Sequence, residues 1–288
     1  MADLKAGTVV DLEVAREAPF GYFLSNGRED VLLHESEIKG HVSINDTLEV
    51  FLYQDKLGRL AATMTIPEIQ IGKYGWVKVV DVHDNLGAFV NIGISKDILI
   101  HKDDLPKLKQ TWPAVGGKLY CTLKTDKNGR LLGKLATEDI MTTLFEKANR
   151  EAFNKTVKGT VYRTLRSGTF IITEENYRGF IHESQRRKEP RVGDEVEGRI
   201  IDVKSDGTVN ISLLPRNFES LQDDAEKVFA YLQQRGGSMP YWDKSYPEEI
   251  EKRFQMSKAA FKRALGKLMK EGKIIQENGW THLKKDKS

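Results

Sequence analysis

The chain has a single cysteine, Cys121, among 288 residues. One cysteine rules out an intrachain disulfide and a cysteine-built zinc site, and it suits a reduced compartment. Long apolar runs are missing too; none approaches the ~20 residues that span a bilayer. The opening MADLKAGTVVDLEV lacks the basic start and apolar stretch of a signal peptide, so a cytoplasmic location is expected. Charge of one sign is also lacking: 45 Lys and Arg face 42 Asp and Glu, a net of +3. A nucleic-acid surface on such a chain has to be a patch, not a whole-body field. Catalytic signatures are absent as well. No H-E-x-x-H, G-x-S-x-G, P-loop or acidic cluster with metal-ligand spacing occurs, so no catalytic residue, metal or cofactor is expected.

What is present is repetition. VLLHES at 31–36, ILIHKD at 98–103 and GFIHES at 179–184 are three apolar runs ending in His34, His101 and His182. Before them come GYFL, GAFV and GTFI, with Phe23, Phe89 and Phe170 placed 11 or 12 residues ahead of the histidine. Only the apolar run and the histidine persist among the copies. Neighbours on a strand also point to opposite faces, so His182 and Glu183 do not form a paired acid–base site. Each copy is about 60 residues of short alternating segments punctuated by Gly, Asn and Asp, which reads as roughly five strands. Five short strands bury a core by closing into a small barrel, and the OB-fold is the natural candidate.

G-x-V-x-x-V, G-x-F-V, G-F-I-H-x-S and D-x-x-G-R together resemble the RNA-binding OB-fold domain named after ribosomal protein S1. Copy 1 has Phe20, Phe23, His34, Asp55 and Arg59; copy 2 has Phe89, His101, Asp126 and Arg130, with Leu86 at the first aromatic. Copy 3 has Phe170, Phe180 and His182, but Ser167 replaces the first aromatic, and Lys204 and Thr208 stand where Asp and Arg would fall.

From about residue 217 the pattern turns helical. FESLQDDAEKVFAYLQQRGG puts Leu221, Ala225, Val228, Phe229 and Leu232 on one face, with Gly236 and Gly237 as the stop. A second helix starts near Pro247, and a third starts after Ser257 as N-cap, with Ala260, Leu265, Leu268 and Met269 toward its core. A hairpin turning at Asn278-Gly279 follows, with Trp280 expected to cover the core. Three helices and a hairpin look like a winged helix. The expected fold is therefore mainly β with α: three tandem five-stranded OB-fold barrels and an α+β winged helix. The expected bounds are 1–66, 67–136 and 157–216 for the barrels and 217–288 for the winged helix. A linker helix over 137–156 is expected, with Ile140, Leu144, Ala148 and Phe153 at near-helical spacing. This arrangement resembles the bacterial conserved virulence factor B family, which implies an RNA-binding regulatory protein.

Single-stranded RNA offers unpaired bases to exposed rings and phosphates to Lys and Arg, so the candidate contacts follow by residue type. Stacking is assigned to Phe20, Phe23, His34, Phe89, His101, Phe170, Phe180 and His182, against the plainer alternative that the phenylalanines are barrel core and the histidines structural. Phosphate contacts are assigned to Arg59, Arg130, Arg186, Arg187 and Lys188. In the third helix, Lys258, Lys262, Arg263 and Lys267 are assigned to nucleic acid, against an ordinary solvated face. Motif and charge disagree, because residues 1–66 carry 6 basic against 11 acidic residues while copy 3 carries QRRKEPR at 185–191. Affinity is therefore expected to centre on copy 3, the winged helix and copy 2. The partner expected is single-stranded RNA, with duplex nucleic acid as a further partner at the winged helix. A DNA-binding transcription regulator and a scaffold or accessory subunit of an RNA-processing or translation assembly remain as alternatives.

Overall fold

The computed structural model describes residues 3–215 and 217–284, without the side chains of 217–222. The expected Leu221 contact lies outside the described side chains. Two compact units divide at residue 213.

The first unit holds three closed five-stranded barrels. Barrel 1 comprises β1 (Val9–Ala18), β2 (Gly21–Ser25), β3 (Asp30–His34), β4 (Thr47–Gln54) and β5 (Leu60–Thr63). Barrel 2 comprises β6 (Gly75–His83), β7 (Gly87–Asn91), β8 (Ile98–His101), β9 (Lys118–Thr125) and β10 (Leu131–Leu135). Barrel 3 comprises β11 (Thr156–Leu165), β12 (Gly168–Thr173), β13 (Arg178–His182), β14 (Glu195–Val203) and β15 (Val209–Ser212). Each closes in the same order, with the third strand parallel to the fifth and the other pairs antiparallel. Alternation sets the core. In β1, Leu12 and Val14 are buried while Asp11 and Glu13 face out.

Two local devices recur in all three barrels. The first strand slips register between Val14 and Arg16, between Val79 and Asp81, and between Val161 and Arg163. Such a bulge sharpens the bend a small barrel needs and re-aims the next side chains. The glycine that opens the second strand is the other device. A Cβ on Gly21 or Gly87 would stand 2.1 Å from the carbonyl oxygen of Leu33 or Ile100, and both glycines have φ above +130°. At Gly168 the same carbonyl clash comes from Ile181, at 2.5 Å. The glycine of Gly-x-Phe is thus a packing requirement, which lets the second and third strands close together.

The barrels do not hang freely on one another. In β4, Val50 and Leu52 fill barrel 1, while Phe51 and Tyr53 join the core that Ile92, Ile94 and Leu123 build in barrel 2. Both faces of β4 are therefore buried, and burying Phe51 alone contributes about 1.5–3 kcal/mol. Lys96 of barrel 2 donates to the carbonyls of Gln54 and Asp55, and burial pulls its ammonium below the usual lysine range. Barrel 3 meets barrel 2 through backbone bonds from Val192 to Thr111 and from Lys118 to Gly193, each 3.0 Å. A Lys118–Glu195 ion pair of 2.9 Å lies beside them.

The segment joining barrels 2 and 3 differs from the expected helix over 137–156. Only α1 (Glu138–Thr142) is helical, followed by a single 3-10 turn at Arg150–Ala152. Thr142 and Thr143 turn their hydroxyls back onto the carbonyls of Glu138 and Ile140, a local competition that weakens helix. Barrel 3 then takes the backbone: Glu146 N–H donates to Asn176 and Ala148 N–H to Gly207. Met141 and Ala148 are buried, but Phe153 is exposed. The apolar spacing comes from packing against barrel 3, not from one helix face.

The second unit contains α2 (Asn217–Gln234), β16 (Ser238–Met239), α3 (Pro247–Phe254), α4 (Lys258–Lys270), β17 (Ile274–Glu277) and β18 (Trp280–Leu283). Its core joins Ala225, Val228 and Leu232 of α2 with Phe261, Leu265 and Leu268 of α4 and Ile250 of α3. Ser257 Oγ accepts from Ala260 N–H at 3.2 Å, capping α4, and Pro247 sits in the first turn of α3. Asn278 and Gly279 both have positive φ, as a two-residue hairpin turn of this twist needs. Two expectations fail here. Met269 is exposed, while the unassigned Phe261 is fully buried in the core with Leu265 and Leu268. Trp280 is 42% exposed and lies flat along His282, with ring centres 6.4 Å apart and planes 16° apart. It lies on the outer face of the hairpin, while Thr281 points inward and is fully buried.

Candidate nucleic-acid interface

The recurring histidine has a definite structural job. His34, His101 and His182 each precede a 3-10 turn, and Nδ1 accepts the backbone N–H two residues on, at 3.2, 3.4 and 3.2 Å. In copies 1 and 3 a serine hydroxyl also meets Nδ1, at 2.8 and 2.9 Å. In copy 2 the Asp103 carboxylate lies 3.2 Å from Nδ1, a contact that needs a protonated Nδ1 and so competes with the backbone cap. His34 and His182 are exposed and His101 half-buried. The cap gives the histidine the structural role that was the plainer alternative for it.

The phenylalanine sits across from the residue that follows the bulge: Phe23 opposite Arg16, Phe89 opposite Asp81 and Phe170 opposite Arg163. All three rings are half-buried on the outer side of the sheet and belong to no barrel core. Their surroundings differ. The Arg16 guanidinium covers Phe23 at 3.7 Å from the ring centre, while Phe20 stands 45% exposed nearby in sequence. Phe89 meets the edge of His83 at 5.7 Å, and His83 pairs with Asp81 at 2.9 Å.

In barrel 3 the rings form a file. Phe145 lies 5.9 Å from Tyr162, Tyr162 6.2 Å from Phe170, Phe170 5.0 Å from Phe180, and Phe180 6.3 Å from His182. Phe180 joins because it pairs with Phe170 across β12 and β13, where the other barrels have leucine at Leu32 and Leu99. Arg178 lies over Phe170 at 4.6 Å. Tyr162 occupies the bulge itself, where barrels 1 and 2 have Ala15 and Val80. Sequence reading assigned neither Tyr162 nor Phe145. The bulged strand is the signal that would have found Tyr162, but it becomes visible only once the strands are paired.

The D-x-x-G-R hairpins of barrels 1 and 2 are built alike. Asp55 Oδ1 accepts from the N–H of Leu57 and Arg59, and Oδ2 meets Arg59 at 2.7–2.8 Å. Partial burial pushes the Asp55 carboxyl up, but the bonds from Arg59 and Leu57 outweigh it and hold it below the usual range. Asp126 is held low first by the Arg130 N–H and then by its guanidinium, whose Nε lies at 2.8 Å. Arg59 and Arg130 each keep about two thirds of their side chain exposed while their base is fixed. Barrel 3 makes the same turn with Asp206, which accepts from the N–H and hydroxyl of Thr208 and leaves no arginine there.

Two assigned cations prove less available. Arg186 is 7% exposed and committed to Thr169, the Ile181 carbonyl and Glu189, so it braces barrel 3 and does not face a ligand. Arg187 and Lys188 next to it are exposed. Lys267 is mostly covered and lies 3.9 Å from Glu271. Lys262, Arg263 and Lys270 are exposed on α4, with Lys258 half-buried at its start.

Three OB-fold barrels with phenylalanines at matched registers, followed by a winged helix, define a multidomain protein of S1-like and winged-helix modules. The comparisons agree module by module. Residues 6–65 match the S1 domain, 74–134 the CvfB first S1-like domain, 141–215 the virulence regulatory factor CvfB second domain, and 226–283 the CvfB-like winged helix domain. Conserved virulence factor B of Staphylococcus epidermidis is 38% identical over 289 residues, covering 96% of this chain and 97% of that one. The protein YitL of Bacillus subtilis is 50% identical over 282 residues, 98% of this chain and 95% of its own. A Streptococcus pneumoniae crystal structure, described as a multidomain protein with nucleic acid binding domains, is 37% identical. It superposes with a TM-score of 0.67 over 96% of this chain and 98% of that one. The chain belongs to the conserved virulence factor B family.

Proposed function

We propose that the chain is a non-catalytic, cytoplasmic RNA-binding protein that holds single-stranded RNA on its barrels and its winged helix and thereby regulates gene expression. The S1-like domains and the family support a nucleic-acid-binding regulator. The observation that carries the finer reading is the file of rings on barrel 3, spaced 5.0–6.3 Å apart, on a barrel that also exposes Arg187 and Lys188. Unpaired bases stack on such a surface whatever their identity, at ~1–3 kcal/mol per base, and the phosphates take the cations. Linked modules also raise avidity, because one bound barrel holds the strand near the next.

A second reading, duplex DNA bound by the winged helix, is favoured by one observation. Lys262, Arg263 and Lys270 share an exposed face of α4 with the small Ala259 and Gly266, which would allow close approach to a groove. One titration separates the readings. Single-stranded RNA, single-stranded DNA and duplex DNA are titrated across a salt series. RNA binding is expected to be tightest and to weaken with salt at a slope of about −0.7 per phosphate contacted. Tightest binding to duplex DNA would favour the second reading, and no salt-sensitive binding at all would sink both.

A further inference from the structure

The segment between barrels 2 and 3 does more than connect them. From α1, Glu138 reaches onto the aromatic side of barrel 3. Its carboxylate accepts from Arg178 Nε at 2.9 Å and Nη2 at 2.6 Å, from Arg163 Nη1 at 3.1 Å and from the Tyr162 hydroxyl at 3.1 Å. Two guanidinium groups and a phenol around one anionic oxygen pair are the donor set that suits a phosphodiester. Seven residues on, Phe145 lays its ring 5.9 Å from Tyr162, at one end of the ring file. One short stretch of chain therefore supplies an anion and an aromatic ring to adjoining places on one surface, as a nucleotide would.

We propose that Arg163, Arg178 and Tyr162 form a phosphate subsite on barrel 3, and that the chain's own Glu138 and Phe145 occupy it and the adjoining stacking position until a strand displaces them. This rests on the proposed single-strand binding and names where on barrel 3 it is regulated. A cleft of about 610 Å³ opens beside the cluster, lined by Lys134, Thr137, Glu138, Tyr162 and Arg163, which gives a strand a way in. α1 is only five residues long, so little helix is lost if it lifts. Barrels 1 and 2 lack the trap: Arg16 pairs with Asp30 at 3.7 Å with both side chains well exposed, and barrel 2 has Asp81 at that register. Burial pushes the Glu138 carboxyl up, but its bonds to Arg178, Arg163 and Tyr162 outweigh this and keep it ionised.

The test is single-stranded RNA affinity of the full-length chain across a salt series, for the parent and for Glu138→Gln. The variant is expected to bind roughly fivefold tighter, the scale of one released surface ion pair. Its salt slope should steepen by about 0.7, one further phosphate on a single strand. Adding Arg178→Gln to Glu138→Gln is expected to cancel the gain. Glu138→Gln binding that is unchanged or weaker, in a chain that still unfolds cooperatively, would overturn the inference and leave Glu138 a strut. If that variant does not fold, Phe145→Ala replaces it: tighter binding supports displacement, and unchanged or weaker binding rejects it. Phe170→Ala with Phe180→Ala separates the two readings. If the pair weakens RNA binding while Glu138→Gln does not tighten it, only the self-occupied subsite falls. If the parent shows no RNA binding, the proposed function falls and takes the subsite with it.

Discussion

Barrels 1 and 3 share a topology, a bulge, an opening glycine and a capping histidine, yet they present opposite surfaces. Barrel 1 keeps the fuller set of motif residues on the more acidic module. Its fourth strand is sealed against barrel 2 through Phe51 and Tyr53, and its Arg59 turn is tied down by Lys96. Barrel 3 has lost the hairpin arginine but has gained Phe180 and Tyr162. At the register of Phe51, barrel 3 carries Arg199: Phe51 pairs with Thr63 and Arg199 with Ser212, the equivalent positions of the fifth strands. One position thus became an apolar anchor in one barrel and a half-exposed cation in the other. Motif completeness follows the needs of the fold, while the surroundings of the motif decide what the surface can hold.

The strongest way to break this comparison is to unseal barrel 1. Phe51→Ala should cost about 3–5 kcal/mol, read as a lower unfolding midpoint in denaturant, while Arg199→Ala should change stability by less than about 1 kcal/mol. Similar losses for both would show that β4 is no special anchor. The next effect concerns RNA. Phe170→Ala with Phe180→Ala should weaken single-strand binding at least tenfold, at ~1–3 kcal/mol per stacked base, whereas Phe23→Ala, whose ring Arg16 already covers, should weaken it less than about threefold, below the effect of one stacked base. The reverse order would show that the fuller motif governs binding despite its charge.

Acid sharpens the contrast through one carboxylate. Glu138 is held below the ordinary glutamate range, so its contacts add stability that is complete above about pH 4.3 and is lost as pH falls through its lowered value. Thermal unfolding of Glu138→Gln should therefore lose less stability than the parent on acidification in that range. Parallel acid limbs would show that the carboxylate contributes nothing there. The smallest effect is expected from the cations. Lys262→Gln on α4 or Lys188→Gln on barrel 3 should each flatten the RNA salt slope by about 0.7 and leave stability within ±0.5 kcal/mol. Arg59→Gln should flatten it less, and an equal effect would restore barrel 1 to the binding surface.

Much of this was legible in the chain itself. Alternation and the fixed Phe-to-His spacing mark three small barrels, and Ser257, Pro247 and Asn278-Gly279 mark the ends of the helices and the hairpin. These signals are local, so they survive without the fold. Most of what failed was non-local. The apolar residues over 137–156 keep helical spacing, but carbonyls of barrel 3 take the N–H groups that a helix would use. Arg186 looks free in QRRKEPR, yet folding buries it against Thr169. Trp280 looks like core by type, but the strand's alternation turns Thr281 inward and leaves the indole outside.

By itself the sequence determined which residues could face outward, because strand period, glycine position and turn chemistry act over a few residues. It carried the rings, the cations and the caps in their order. Only the tertiary structure decided their company: Phe51 in a neighbour's core, Phe180 beside Phe170, Glu138 on Arg163 and Arg178. Glu138 and Arg178, for example, stand 40 positions apart in the chain. Such pairings arise because barrel closure and barrel packing bring distant strands to within a few ångströms, and no local pattern encodes that meeting.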